Sequence, residues 1–469
     1  MRVLFGTDGI RGKAHEYPLD PRTMFALGEA LAHRLKAAGQ PARLPVTGME
    51  SLPTERDGES LRDIRPKVLL GMDTRESGPE IARALAAGIA FGGGQAVLIG
   101  IVPTPAVAYL CHTTDAAAGL SISASHNPFG DNGVKIFGHD GMKLADAIEE
   151  QIEDEMRAIR RESVEIPDTP LPDSPDLVER YEQFLVSGVK AKALAGKRVV
   201  LDAGNGAAFR IGPEAFRRAG ADVTVINDQP NGTNINEASG ALHPEGLAKV
   251  VVERKADFGV AFDGDADRAI FVDDAGKVRD GDEIIYLWAR RLQRDNSLRG
   301  GCVVTTVMSN FGFEEQLRKD NIELCRAQVG DKYVLEMMLE RNAILGGEQS
   351  GHIIDLSVHT TGDGIHTALV FGELLAEADR PFSQLPTFTP MPQLLVNKKV
   401  ASKPPLETLS RYNDALAKAQ GELGGRGRIL IRYSGTENLV RVMVEGEDSD
   451  LIRRIADDLA AVLVAEIGA

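Results

Sequence analysis

The chain has 469 residues, of which 53 are Lys or Arg and 69 are Asp or Glu, giving a formal net charge of -16. That balance argues against general nucleic-acid binding, while leaving room for a local basic cleft that takes a small anionic substrate. With 43% apolar and 26% charged residues, a chain of this length reads as a soluble globular protein of about three or four domains.

The opening Phe5-Gly6-Thr7-Asp8-Gly9-Ile10-Arg11-Gly12 is glycine-rich with one cation near its end. Residues 41–66 are polar and poorly patterned, and read as a surface excursion. Residues 68–72 and 96–102 read as buried strands, with residues 79–91 helical between them; Pro79 suits a first helical turn. Residues 120–123, 198–202, 223–227, 258–262, 269–272, 302–307 and 343–346 read as further strands. Such alternation of short apolar runs with helical patterns predicts α/β layers with mostly parallel strands. Two proline-rich stretches, residues 166–177 and 380–394, read as linkers, because proline continues neither a helix nor a central strand. A weaker boundary falls near residues 275–281. The last segment changes rhythm: helix 406–420, strand 428–433, strand 439–444 and helix 449–467 predict a small α+β domain.

Cys111, Cys302 and Cys325 are scattered and form neither a metal-ligand spacing nor a disulfide framework. They read as buried thiols in a reducing compartment. The N-terminus lacks a signal-peptide apolar core and no run is long enough to span a bilayer, so the expectation is a cytoplasmic protein with no membrane partner.

Two segments carry the chemistry. Ser125 lies in Ser123-Ala124-Ser125-His126-Asn127-Pro128, at the end of a strand, where α/β folds commonly present groups to a ligand. The Gly-x-Ser-x-Gly hydrolase elbow is absent, and His126, a neighbour in sequence, is not by itself a triad base. Downstream, Asp263-Gly264-Asp265-Ala266-Asp267-Arg268 places three carboxylates at alternate positions between two apolar strands. Three hard oxygen ligands suit Mg2+. A calcium EF-hand fails, because the sixth position is Arg268 rather than Gly and the twelfth is Asp274 rather than Glu. A serine that carries a phosphoryl group needs a divalent cation beside it, so the two segments together point to phosphoryl transfer through a phosphoserine. Lys135 could add positive charge to that site, though a lone lysine is more often a surface residue.

Two further loops fit a phosphorylated sugar. In Gly346-Gly347-Glu348-Gln349-Ser350-Gly351-His352 the glycines permit close backbone approach. Glu348 and Ser350 fall on one side of an extended segment, where they could bind vicinal hydroxyls or an amine, and His352 can exchange a proton near neutrality. In Arg432-Tyr433-Ser434-Gly435-Thr436-Glu437, followed by Arg441, hydroxyls and backbone N–H groups flanked by two arginines suit a non-transferring phosphate. Surface ion pairs for those arginines are the competing reading.

These five loops, in this order, resemble the α-D-phosphohexomutase superfamily, and they span residues 5 to 441. The resemblance implies an α/β protein of four domains around a central cleft. Three would be similar α/β domains with mixed sheets: residues 1–172 with the phosphoserine loop, 173–278 with the metal loop and 279–386 with the sugar loop. A small α+β domain, residues 387–469, would bind phosphate. It implies that Ser125 is the phosphorylated serine. Asp263, Asp265 and Asp267, completed by the Ser125 phosphate, would bind one Mg2+. Glu348 and Ser350 would contact sugar hydroxyls, and Arg432, Ser434, Gly435, Thr436 and Arg441 would clamp a phosphate. Arg11, Lys135 and His352 would stand near the transferring phosphate, with Lys135 or His352 as general base. The sugar loop, with residues 306–310 and 329–334, is similar to the phosphoglucosamine mutase branch, which implies interconversion of glucosamine 6-phosphate and glucosamine 1-phosphate through a glucosamine 1,6-bisphosphate, feeding UDP-N-acetylglucosamine synthesis. That branch often has Arg where Lys332 stands, and the 41–66 excursion is longer than expected. The alternatives are a phosphoglucomutase or phosphomannomutase of the same chemistry, or a non-catalytic phosphosugar sensor, which would predict a damaged nucleophile or metal loop. The implied partner is a small phosphosugar, with no nucleic acid and no membrane, and a homodimer is compatible with it.

Overall fold

The structure, a computed structural model, describes residues 4–6, 8–38, 65–159, 164, 166–167, 171–378, 380–434 and 438–468. Most of the 41–66 excursion, with Thr7, Gly435 and Thr436, lies outside the described residues. The chain forms two compact units, one of residues 1–306 with 327–385 and one of residues 307–326 with 386–469.

The first unit contains three mixed sheets. In the first, strands Lys67–Met72, Gln95–Ile101 and Ala118–Ile122 run parallel, while Asp131–Gly138, Gly9–Lys13 and Phe5–Gly6 continue it antiparallel. In the second, Arg198–Asp202 pairs in parallel with Asp222–Ile226 and Phe258–Phe262, and Ala269–Asp273 then pairs antiparallel with Phe258–Phe262. In the third, Cys302–Thr306 and Leu345–Gly347 are parallel and Ile353–Asp355 is antiparallel. The expectation of mostly parallel strands is therefore corrected to mixed sheets. Parallel pairs need helical crossovers, which the alternating pattern reveals, whereas an antiparallel return needs only a short loop and leaves no such signature.

Apolar runs become strands buried on both faces: all five residues of Ala118–Ile122, Phe258–Phe262, Ala269–Asp273 and Cys302–Thr306 are buried. Helices Pro21–Ala38 and Gly78–Phe91 cover the first sheet, with Leu27, Leu31, Leu85 and Ile89 among the fully enclosed side chains of that core. The three cysteines are free and buried.

In the second unit, Leu439–Gly446 lies between Gln393–Lys399 and Gly427–Tyr433 in an antiparallel sheet. Val440, Val442 and Val444 alternate toward helices Ser410–Leu423 and Ser449–Ile467, meeting Leu423, Ile452, Leu459 and Leu463. The Asn310 side chain pairs with both backbone groups of Met391, and the Arg428 guanidinium donates to the carbonyls of Val307 and Ser309. These bonds tie residues 307–326 to this unit.

Both proline-rich stretches hold regular structure that linkers would not. Helix Pro175–Ser187 begins inside the first, because proline costs nothing in a first helical turn. Strand Gln393–Lys399 begins directly after Pro392 as an edge strand, where proline's missing N–H is tolerated. Among the described residues no helix is long and apolar enough to cross a membrane.

Candidate active site

Each chemical loop closes an antiparallel pair. Ser125 lies between Ala118–Ile122 and Asp131–Gly138, the three aspartates between Phe258–Phe262 and Ala269–Asp273, and Glu348 between Leu345–Gly347 and Ile353–Asp355. Ser434 begins the loop between Gly427–Tyr433 and Leu439–Gly446.

The serine and aspartate loops meet. The Ser125 hydroxyl donates to Asp263 Oδ2 at 2.6 Å, and both residues are buried. Gly264 is required there, since a Cβ on it would stand 2.5 Å from the Ser125 carbonyl oxygen. Ser125 itself adopts a left-handed backbone, φ 52°, a conformation that costs a non-glycine residue energy and persists only where the surroundings fix it. Arg75 supplies that support. Its guanidinium donates to the carbonyls of Ser125 (3.2 Å), Asn127 (2.5 Å) and Asp131 (2.8 Å) and pairs with Asp73 at 2.8 Å. Asn236 adds a 2.9 Å bond to the Ser125 carbonyl, and Ser123 Oγ accepts the Ser125 N–H while donating to Asp73. The sequence signal for Asp73 and Arg75 was their position, charged residues directly after an apolar strand of the same sheet.

The three aspartates are buried and offer carboxylate oxygens that all lie within 4.8 Å of one another. Burial and the neighbouring charges of Asp267 and Asp265 push the Asp263 carboxyl well above its ordinary range. Among the described residues Asp265 Oδ1 and Asp267 Oδ1 are buried without a close hydrogen bond, the nearest donor to Asp267 Oδ1 being His352 Nδ1 at 3.5 Å. Crowded hard oxygens with unspent lone pairs fit a small divalent cation. Thr104 and Lys135 hold Asp265 Oδ2 from behind, at 2.6 and 2.9 Å. Lys135 also reaches Asp267 at 3.0 Å and Asp8 at 3.5 Å. Burial opposes its charge, but those carboxylates hold its pKa well above the ordinary lysine value, so it stands as an ammonium.

A cavity of about 380 Å3 opens over this centre, lined by Asp8, Arg11, His126, Asp267, Arg268 and His352, among others. Glu348 and the Val329–Asp331 turn also line it. Arg11 pairs with Asp8. His126 Nδ1 is 3.4 Å from Ser125 Oγ but also meets Arg268 at 3.2 Å. Burial, Arg268 and Arg11 lower its pKa, so it faces the cavity as a neutral ring engaged by an arginine. Arg268 entered the sequence reading only as the residue that spoils an EF-hand. His352 Nε2 accepts the Gly362 N–H at 3.0 Å, which places its ring proton on Nδ1, 3.5 Å from Asp267.

In the sugar loop, Glu348 faces the cavity and Ser350 is exposed beside it, its Oγ 3.5 Å from Glu348 Oε2. Gln349 turns away and donates to Asp280 Oδ2 at 3.0 Å; Asp280 in turn caps helix Gly281–Arg294. Gly281 is forced by this contact, because a Cβ on it would meet the Glu348 carbonyl oxygen at 2.1 Å.

In the second unit, Arg432 and Arg441 are direct partners across the sheet. Neither has a carboxylate partner among the described residues. Partial burial and Arg441 depress the Arg432 pKa, and Arg441 Nε is buried without a bond among the described residues. Like charges placed opposite each other destabilise a sheet, so the pair calls for an anion. Ser434 is buried beside them, and Lys403, absent from the sequence reading, donates to its carbonyl at 2.7 Å.

Comparison with known proteins agrees along the whole chain. Four domain descriptions match in order: phosphoglucomutase/phosphomannomutase alpha/beta/alpha domain I over residues 57–163, domain II over 178–276, domain III over 280–389 and the C-terminal domain over 395–462. The chain belongs to the phosphoglucomutase/phosphomannomutase superfamily. Curated relatives include the phosphoglucosamine mutases of Solibacter usitatus, 44% identical over 99% of both chains, and Symbiobacterium thermophilum, 43% identical over 100% of both. Among solved structures, a phosphoglucomutase/phosphomannomutase family protein from Burkholderia thailandensis matches with TM-score 0.78 at 22% identity, covering 99% of this chain and 98% of that one. The Aspergillus fumigatus N-acetylphosphoglucosamine mutase, in complex with GlcNAc-6P and magnesium, matches with TM-score 0.64 at 18% identity, covering 98% of this chain and 96% of that one. These two show the fold.

Proposed function

We infer that this chain is a phosphoglucosamine mutase, an isomerase that interconverts glucosamine 6-phosphate and glucosamine 1-phosphate through a phosphorylated Ser125. The observation that carries the chemistry is the buried Ser125–Asp263 contact, next to His126 and Asp267 in the wall of a phosphosugar-sized cavity; the amino sugar rests on the full-length relatives.

The phosphoryl group leaves Ser125 Oγ for the anomeric hydroxyl oxygen of glucosamine 6-phosphate. One P–O bond breaks, one forms, and the hydroxyl proton passes to a base. The resulting 1,6-bisphosphate turns end over end, and its 6-phosphoryl group returns to Ser125 Oγ, releasing glucosamine 1-phosphate. Mg2+ held by Asp263, Asp265, Asp267 and the serine phosphate would neutralise charge on the transferring group. Lys135, an ammonium already among carboxylates, contributes fixed positive charge and holds the aspartates in place. His352 lines the cavity where Lys135 does not, and in the proton-accepting role its Nε2 gives up the Gly362 N–H to take the hydroxyl proton. Arg11 and Arg268 stabilise negative charge on phosphate oxygens from the cavity wall. Glu348 and Ser350 orient the sugar. Arg432 and Arg441, with Ser434, Gly435 and Thr436, hold whichever phosphate is not reacting; a guanidinium pair reads charge, so it accepts either end of the bisphosphate.

The test is a coupled mutase assay on phosphorylated protein with magnesium, comparing glucosamine, glucose and mannose 1-phosphates. Preference for the glucosamine compound supports the assignment. Preference for glucose or mannose keeps the mechanism and overturns the substrate. No turnover on any of them, with Ser125 phosphorylated, overturns the enzyme.

A further inference from the structure

The catalytic cavity carries a carboxylate that phosphoryl transfer leaves unused. Besides Asp267 and Glu348, its wall includes Asp8 and Asp331. A phosphorylated sugar is itself an anion, so each ionised carboxylate on its path repels it unless something positive stands between them. Asp8 is spent: Arg11 and Lys143 pair with it and Lys135 lies 3.5 Å away. Asp331 is only half spent. Its Oδ2 accepts from Lys143 at 2.6 Å and its Oδ1 from the Lys332 backbone N–H at 2.9 Å. A carboxylate has about four lone-pair sites, and the Asp331 side chain remains 16% exposed.

Lys143 does not block that face. It lines a separate, largely apolar cavity of about 500 Å3 that shares Asp331 as part of its wall, and so reaches the carboxylate from outside the catalytic cavity. His352 Nε2, 3.6 Å from Asp331 Oδ2, is committed to the Gly362 N–H. The turn before Asp331 is fixed to the sugar loop, because the Gly330 N–H donates to Glu348 Oε1 at 3.3 Å. The charged face of Asp331 therefore belongs to the same wall as Glu348.

We propose that Asp331 determines specificity by receiving the ammonium group on C2 of glucosamine phosphate, in a cavity where a neutral substituent leaves its charge facing the anionic substrate. The proposal deepens the mutase reading above and rests on it. A charge-assisted N–H to carboxylate bond is about twice as strong as a neutral one. A glucose or mannose phosphate offers a hydroxyl at C2 and no countercharge, so the same carboxylate attracts one substrate and disfavours the others. Asp331 stays ionised because Lys143, itself held at a pKa of about 12 by Asp331 and Asp8 against burial, sits beside it.

The experiment compares kcat/KM for glucosamine 1-phosphate and glucose 1-phosphate in the phosphorylated full chain and in Asp331→Asn. The expected result is a fall in the glucosamine-to-glucose ratio of about 10- to 100-fold, the range for a lost charged hydrogen bond. A parallel fall on both sugars, with the ratio preserved, overturns the proposal. If Asp331→Asn loses cooperative thermal unfolding, Lys143→Met combined with Asp331→Asn removes the buried ion pair whole and carries the same comparison. In the unmodified protein, equal calorimetric affinity for glucosamine 6-phosphate and 2-deoxyglucose 6-phosphate also overturns it, with no variant needed. A wild-type enzyme without preference for the amino sugar overturns the proposed function instead, which keeps the two failures apart.

Discussion

The Ser125 hydroxyl donates a 2.6 Å hydrogen bond to Asp263, a residue 138 positions later in the chain. That contact joins the serine proposed as nucleophile to the carboxylate cluster, and it predicts that phosphoryl passes through Ser125. Ser125→Ala is expected to lower mutase turnover by more than about 10³-fold, as loss of a covalent nucleophile does. Intact mass after incubation with glucose 1,6-bisphosphate should show one added phosphoryl group on the wild type and none on the variant. Labelling of the variant to the same extent would place the acceptor elsewhere.

The buried oxygens on Asp265 and Asp267 that lack a close hydrogen bond among the described residues predict a cation-dependent stability. Magnesium at about 100 times its dissociation constant should stabilise the fold by about 2.7 kcal/mol, seen as a rise in Tm. Asp265→Asn and Asp267→Asn should abolish that rise, and chelation should abolish turnover. A rise of the same size in both variants would remove these residues as ligands.

Arg75 predicts a loss of stability larger than a loop residue usually gives. Its side chain is fully enclosed with that of Asp73, and it bonds three carbonyls of the serine loop and its flank. Arg75→Met leaves the Asp73 carboxylate without its cation in the interior, a change that costs about 3–5 kcal/mol. Urea unfolding should show the midpoint falling. Unchanged stability would mean that the serine loop is held by something else.

Arg432 and Arg441, opposed across strands without carboxylate partners among the described residues, predict an anion site that recognises charge alone. Arg441→Ala should raise KM for the 1-phosphate and the 6-phosphate together, by roughly 10- to 100-fold for a lost charged hydrogen-bond pair. It should also leave stability unchanged or improved, because one of two like charges is gone. An effect on one phosphate only would argue that the site reads a single orientation of the sugar.

Much of this was legible in the sequence because the chemistry is concentrated in short loops. Alternate aspartates between apolar runs, and a serine before Asn-Pro, keep their meaning without knowledge of the fold, and the structure brings Ser125, Asp263, Asp265, Asp267, Lys135 and His352 to one centre. What escaped was whatever acts across large sequence distance. Arg75 and Asn236 hold the serine loop from 50 and 111 residues away; Arg75 offers only its place after an apolar strand, and Asn236 carries no local pattern that distinguishes it from a surface residue. Gln349 illustrates the opposite limit: its place in the sugar loop drew attention, yet its side chain serves the helix cap at Asp280. The alternating rhythm alone read the sheets as mostly parallel, and only the resemblance implied mixed ones, because Asp263-Gly264 opens a longer loop between Phe258–Phe262 and Ala269–Asp273 rather than the two-residue turn that marks a hairpin.

His359 predicts the pH dependence of stability. The ring is buried, its Nε2–H donates to the Pro105 carbonyl at 3.0 Å, and its Nδ1 accepts the Thr360 N–H at 2.9 Å. Both bonds require the neutral tautomer. Protonation would aim a second N–H at the Thr360 donor. Burial is the largest influence on the group and lowers its pKa to about 4. Asp363, 4.0 Å away, favours the charge, while His366 and His112 oppose it. The unfolded chain binds a proton near pH 6.5 and the folded chain only near pH 4, so the stabilisation is full above 6.5 and is lost as pH falls through about 4. The difference corresponds to about 3 kcal/mol. His359→Gln removes the titrating ring. Urea unfolding of both proteins on either side of this window should show the wild type losing more stability on acidification than the variant, by about that amount. Parallel losses would mean that His359 stays neutral without cost in the unfolded chain or is protonated in the folded one.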